Sequence, residues 1–82
     1  MHYYYLDQID NHIEEYKDEK EFIEGLTWNH EVAVDNGDDV APLNEIIQAF
    51  RDNDEYESDS INGAYFYKSR KPLDEFEKEV TA

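Results

Sequence analysis

The chain of 82 residues contains no cysteine, and this absence excludes two kinds of chemistry. Neither a disulfide framework nor a thiolate metal site can form without thiols. The chain also lacks any apolar run near the roughly 20 residues that span a bilayer. Its opening residues show neither the basic start nor the apolar stretch of a signal peptide. We therefore expect no membrane partner and predict a cytoplasmic location.

Residue patterns that carry catalysis are missing as well. Three glycines are too few for a phosphate-cradling loop, the histidines form no HExxH motif, and no serine occupies a known nucleophile motif. The acidic segment that begins at Asp52 departs from a calcium loop, because Tyr56 takes its fifth position and Gly63 stands where the loop needs Glu. We predict that the protein is not an enzyme and needs no cofactor and no metal.

Positive charge is scarce and unevenly distributed. The chain has 22 acidic and 7 basic residues, for a formal net charge of −15. Residues 1–63 contain 18 acidic and 3 basic side chains, whereas residues 64–82 contain 4 of each and are neutral. Such a field repels nucleic acids and anionic lipids and attracts basic proteins, although self-repulsion lowers stability. The charge predicts a basic protein partner and no direct contact with nucleic acid.

The first part of the chain is predicted to form a strand followed by helix. The aromatic run at residues 3–6 favours a strand. The helix is predicted from an N-cap at Asp7 and from apolar residues at three- and four-residue intervals, namely Leu6, Ile9, Ile13 and Tyr16. Asp18 and Glu21 resemble a capping box for a second short helix that ends near Gly25. Two helices or one bent helix both fit this pattern.

The rest of the chain alternates between strand, turn and helix signals. It is predicted to form a strand at 31–34, a turn at 35–39, a helix at about 42–52, an acidic loop at 52–60, a strand within 61–67 and a last helix opened by Ser69 and Pro72. The predicted fold is a single α+β domain over residues 1–82, with a small antiparallel sheet of two or three strands packed against three or four short helices. The tyrosines of residues 3–5 and 65–67 are expected to pack the sheet, and Trp28 is interpreted as a core anchor.

The carboxylates fall into three groups that are candidates for partner binding. Residues 14–24 are predicted to form an acidic helix face, and acidic residues also crowd the 35–39 turn and the 52–59 loop. Helical neighbours three or four residues apart lie about 5–6 Å apart at Cβ, so such a face resembles a row of phosphates. The alternative is a solvated face that only keeps the domain soluble. The predicted partner-binding residues are Glu14, Glu15, Asp18, Glu21, Asp35, Asp38, Asp39, Asp52, Asp54, Glu55, Glu57 and Asp59.

In these three acidic groups, and in its size and composition, the chain resembles the small acidic inhibitors of bacteriophages and mobile elements. These include anti-CRISPR and anti-restriction proteins that mimic DNA. The resemblance implies a stoichiometric inhibitor, monomeric or homodimeric, that blocks the nucleic-acid-binding site of a CRISPR effector or restriction enzyme. Two alternatives remain open, an immunity protein or antitoxin for a basic nuclease toxin and an acidic structural or regulatory phage protein. The basic residues Lys68, Arg70 and Lys71 are expected to pair with the acidic body.

Overall fold

Two tyrosine-rich strands form the centre of the sheet in the computed structural model, which describes residues 1–81. β1 (His2–Asp7) pairs antiparallel with β4 (Ala64–Ser69) along its whole length. β2 (Ile13–Tyr16) flanks β1, and the two-residue β3 (Tyr56–Glu57) flanks β4, which gives the antiparallel order β2-β1-β4-β3. The predicted antiparallel sheet is confirmed, with four strands in place of two or three.

Three helices complete this α+β fold in the described residues, and they are α1 (Glu19–Asp35), α2 (Leu43–Asp52) and α3 (Leu73–Thr81). The Asp18 carboxylate accepts a hydrogen bond from the backbone N–H of Glu21 at 2.9 Å, as expected of an N-cap. The predicted helices at 42–52 and after Pro72 are confirmed. No helix among the described residues is long and apolar enough to cross a membrane.

The helices pack on opposite faces of the sheet because side chains alternate along each strand. On one face, Phe22 of α1 and Phe50 of α2 pack against each other and against the sheet residue Phe66. On the other face, Phe76 of α3 stacks on Tyr4, with ring centroids 4.1 Å apart. Burying each of these aromatic side chains contributes roughly 1.5–3 kcal/mol, so rings supply most of the core of this small protein.

The predicted helix over residues 6–16 is wrong, because these residues form the β1–β2 hairpin. Leu6 pairs across the hairpin with Ile13, while Ile9 lies in the turn and is 85 % exposed. Asp7 is not a helix cap, since its carboxylate accepts a hydrogen bond from the backbone N–H of Ile9 at 2.8 Å within the turn. Spacing by three and four residues fitted a helix, but long-range pairing of β1 with β4 determines the strand.

The predicted strand at residues 31–34 is also wrong, because α1 continues through it to Asp35. Ala33 is fully buried and continues the apolar face begun by Phe22 and Leu26. Gly25 lies in the middle of this helix and not near its end. A Cβ built on Gly25 would lie 2.6 Å from the Tyr16 hydroxyl oxygen, so the glycine allows the helix to approach β2 closely.

The remaining connections agree with the sequence in outline. The turn after α1 is present, and Gly37 adopts a φ of +81° within it. The acidic segment at 52–60 is not a simple solvated loop, because it contains β3 and the buried Ser58, whose hydroxyl accepts the backbone N–H of Phe66. The predicted strand within 61–67 is confirmed and extends two residues further, because β4 covers Ala64–Ser69. Ser69 therefore ends β4 and does not open α3, which begins at Leu73.

Candidate partner-binding surface

Nearly all of the negative charge lies on the surface. Every Asp and Glu except the half-buried Asp7 is exposed. Ion pairs with Lys or Arg in the described part of the chain involve only three carboxylates, those of Glu19 with Arg51, Asp54 with Arg70 and Glu79 with Lys71. Exposed pairs of this kind stabilise a fold by about 0–1 kcal/mol each. Most carboxylates are therefore uncompensated and accessible to a partner.

The fold gathers the positive charge at one end of the molecule, here called the basic end. Antiparallel pairing places the end of β2, the end of β4 and the start of β1 side by side, as the alignment of Tyr3 with Tyr16 and Lys68 shows. Six of the seven basic residues lie there, at Lys17, Lys20, Arg51, Lys68, Arg70 and Lys71.

Hydrogen bonds and ion pairs within the protein hold the side chains of the basic end. The Lys68 ammonium donates to the Phe50 carbonyl at the end of α2, at 2.8 Å. A hydrogen bond to Glu79 raises the pKa of Lys71 above its ordinary value. The Arg70–Asp54 and Lys71–Glu79 pairs confirm that these two basic residues pair with the acidic body, whereas Lys68 contacts a backbone carbonyl.

The opposite end of the molecule, here called the acidic end, consists of Asp10, Asp35, Asp38, Asp39 and Asp59. It combines the β1–β2 turn, the end of α1 with its following loop, and residues 58–63. Hydrogen bonds hold these segments together, because Gln8 N–H donates to the Gly63 carbonyl and Asn62 donates to Asn29 of α1. No Lys or Arg occurs in residues 21–50 or 52–67, and no Lys or Arg among the described residues forms an ion pair with these five aspartates.

Two loops that are distant in sequence meet at the acidic end. Asp39 and Asp59 line the same cavity, whose volume is about 110 Å³ and whose wall includes Ile46 and Tyr56. Small-molecule sites usually have volumes of about 300–1,000 Å³. The acidic end therefore offers a charged surface rather than a small-molecule pocket.

The structure divides the acidic group predicted at 14–24. Glu14 and Glu15 are not on a helix but on the edge strand β2, where successive side chains point to opposite faces. Glu15 pairs with His2 at 2.9 Å and Glu14 with His12 at 3.2 Å. The predicted row of phosphate-like charges over residues 14–24 is therefore wrong as a single helix face. Glu21 alone of the predicted residues in this group lies on the exposed side of α1.

Several of the other predicted binding residues serve the fold itself. The Asp18 carboxylate caps α1, Asp52 accepts a hydrogen bond from Gln48, and Asp54 pairs with Arg70. Glu55 lies 3.4 Å from the Ser69 hydroxyl and from the backbone nitrogen of Arg70, near the basic end. The predicted 52–59 cluster is thus split, with Asp59 at the acidic end and the earlier acids near the cations.

Carboxylates beside the sheet affect buried tyrosines. Burial raises the pKa of Tyr67, and Glu57, which lies opposite it on β3, adds to the rise. Burial likewise raises the pKa of Tyr4 to about 12, with a further contribution from the charge of Glu15. These rings are packed in the fold, as the prediction of sheet-packing tyrosines required, and they remain neutral at physiological pH.

Trp28 is not a core anchor, because its side chain is 62 % exposed. The helical phase of α1 explains this, since Phe22, Leu26 and Ala33 define the buried face and Trp28 falls on the other side. The same periodicity was present in the sequence and would have placed Trp28 outside, had the helix been predicted to extend to residue 35.

Metal binding and relatedness give no further indication of function. No group of three or more His, Asp or Glu side chains in residues 1–81 is arranged to hold a metal ion. No protein-family model matches the sequence, and no curated protein or solved structure matches it either. The charge and geometry of the surface are therefore the features that bear on function.

Proposed function

We propose that this protein is a stoichiometric inhibitor that binds a basic nucleic-acid-binding protein through its acidic end and so competes with nucleic acid. The observation that carries the proposal is the separation of charge, with five exposed aspartates at one end and six of seven cations at the other. Aspartates in this position can accept the Lys and Arg hydrogen bonds that normally hold phosphates.

The charge separation also gives the protein a preferred orientation on approach. A basic cleft attracts the acidic end more strongly than the basic end, where carboxylates pair with the cations, so that productive encounters are favoured. The bound protein would then exclude nucleic acid by occupying the cleft and would need no catalytic activity of its own. The resemblance to small acidic DNA-mimicking inhibitors supports a bacterial defence enzyme, either a CRISPR effector or a restriction enzyme, as the target class.

The first test measures cleavage of labelled DNA by purified CRISPR effectors and restriction enzymes at increasing concentrations of the protein. We expect one enzyme class to be blocked at about one inhibitor per active site, and excess nucleic acid added beforehand to prevent the block. An enzyme panel that cleaves normally at a large excess of the protein would contradict the proposed target class. Inhibition of a nuclease toxin alone would instead identify an immunity protein.

A charge-matched pair of variants tests the binding surface. Asp38→Asn with Asp39→Asn removes two charges from the acidic end, and neither side chain makes a hydrogen bond or ion pair among the described residues. Glu75→Gln with Glu77→Gln removes the same charge from α3. Two ion pairs at 4 Å in water are worth about 2 kcal/mol together, so we expect the first variant to bind the inhibited enzyme at least about tenfold more weakly.

The α3 variant is the control, because it alters net charge equally and should change affinity by less than about twofold. Equal weakening by both variants would show that only net charge matters and would contradict a defined acidic end. Raising the salt concentration should slow association of the unmodified protein and narrow the difference between the variants.

A further inference from the structure

The outer face of α1 carries a regular stripe of charge around one exposed aromatic ring. The stripe consists of Glu21, Glu24, Trp28, Glu31 and Asp35, all of which are exposed. Intervals of three, four, three and four residues keep these side chains on one side of the helix. That side is opposite the buried residues Phe22, Leu26 and Ala33, so nothing in residues 1–81 covers it.

Exposure of Trp28 sets this face apart from an ordinary solvated surface. Trp28 is the only tryptophan in the chain and is 62 % exposed, although a buried ring would have strengthened a small core. Tryptophan is enriched among the residues that dominate binding energy at protein interfaces, and its ring attracts Arg and Lys cations. None of the four flanking carboxylates forms an ion pair in the described structure.

The spacing of the stripe indicates the shape of its partner. The average interval of 3.5 residues is the repeat at which two helices stay in contact along their length. The stripe runs over residues 21–35, so its two ends lie about 21 Å apart at 1.5 Å per residue, and no Lys or Arg occurs anywhere in residues 21–50. A helix with basic residues at the same intervals would meet all four carboxylates and would place a guanidinium on the indole.

We propose that the outer face of α1 docks a basic helix of the partner protein, with Trp28 as the aromatic anchor and the four carboxylates as its charged flanks. This inference rests on the proposed function for the basic character of the partner. It adds a second contact beside the acidic end and identifies protein, not nucleic acid, as the direct ligand of this face.

The test uses a synthetic helix as the probe. An alanine-based peptide of about 20 residues carries Arg at alternating three- and four-residue intervals, and a scrambled peptide of the same composition spreads Arg around the helix. Trp28 fluorescence reports binding directly, because the chain has a single tryptophan, and calorimetry gives the dissociation constant. We expect the one-faced peptide to bind at least about tenfold more tightly than the scrambled peptide.

Variants of the protein separate the anchor from charge alone. Trp28→Ala should weaken binding of the one-faced peptide by about tenfold or more, and Trp28→Phe should restore part of the loss. Val34→Ala is the matched control, since Val34 is 53 % exposed on the same helix but lies off the stripe. Glu24→Gln with Glu31→Gln should weaken binding more than Glu75→Gln with Glu77→Gln, which removes the same charge elsewhere.

The outcomes distinguish this inference from the proposed function. Equal binding of the two peptides, no binding of either, or full binding by Trp28→Ala would overturn docking on α1. Enzyme inhibition that depends on Asp38 and Asp39 would survive those results. Specific peptide binding without inhibition of any nucleic-acid enzyme would support the α1 face and contradict the proposed function.

Discussion

Replacement of Gly25 by alanine is expected to destabilise the protein, even though alanine is the better helix former. Gly25 lies in the middle of α1, where the substitution alone would stabilise a helix by about 1 kcal/mol. The new Cβ, however, would lie 2.6 Å from the hydroxyl oxygen of Tyr16 and 2.8 Å from its Cε1 atom. The aromatic ring or the helix must therefore move.

The size of the effect follows from what the ring of Tyr16 contacts. Its edge-to-face contact with Phe22, at 5.6 Å between centroids, is worth about 0.5–1.5 kcal/mol, and overpacking adds about 1–3 kcal/mol. The ring is the far end of a flexible side chain and can shift, so we take the lower part of the range for overpacking. After the helix gain is subtracted, we expect a net loss of about 1–2 kcal/mol in the free energy of unfolding.

Urea unfolding followed by circular dichroism measures this loss, and the melting temperature should fall by roughly 5–10 °C in a domain of this size. The same substitution in a Tyr16→Val background is the control, because valine has no ring to meet the new Cβ. There Gly25→Ala should stabilise the protein by about 0.5–1 kcal/mol. Stabilisation of similar size in both backgrounds would refute the argument from close packing.

Three further predictions concern a buried amide, the tyrosines and the net charge. Asn29→Ala should lower the free energy of unfolding by about 1–3 kcal/mol in urea titrations. The buried Asn29 side chain accepts a hydrogen bond from Asn62 at 3.1 Å and donates one to the Gly25 carbonyl at 2.8 Å, and both would be lost. A loss below about 0.5 kcal/mol would contradict this role. Burial raises the pKa of Tyr4 and Tyr16 from 10.0 to about 12, so their stabilising contribution is complete below pH 10, where both states keep the proton, and is lost between about pH 10 and 12. Absorbance of tyrosinate and circular dichroism should therefore show these two rings ionising together with unfolding. Ionisation of Tyr4 and Tyr16 near pH 10 in an intact fold would disprove this coupling. Added salt at neutral pH should raise the melting temperature, because it screens the self-repulsion of a chain with net charge −15, and an unchanged or lower value would argue against that repulsion.

The sequence was sufficient where local signals and long-range packing favour the same structure. The amphipathic residues of α2 and α3 predicted both helices, and Asp18 correctly predicted the start of α1. The tyrosine runs predicted strands because aromatic residues fit a pleated, half-buried surface. These elements establish the α+β class with an antiparallel sheet, and the charge imbalance can be read from the sequence alone.

Local signals failed where the apolar spacing fits two structures. Leu6, Ile9 and Ile13 fit a helix by interval, yet β1 pairs with β4, which lies about 60 residues later in the chain. Val32 and Val34 favour a strand, yet Ala33 packs into the core at helical spacing from Phe22 and Leu26. In both cases burial against distant residues outweighed local propensity.

The candidate binding surface divides in the same way. The acidity of the chain and the grouping of its acids along the sequence follow from residue types alone, because formal charge does not depend on folding. Folding, by contrast, brings Asp59 to Asp39, places Asp54 and Glu55 among the cations and turns Trp28 outward. The reason is physical, since antiparallel pairing and the phase of one long helix bring together or separate charges that are distant along the chain.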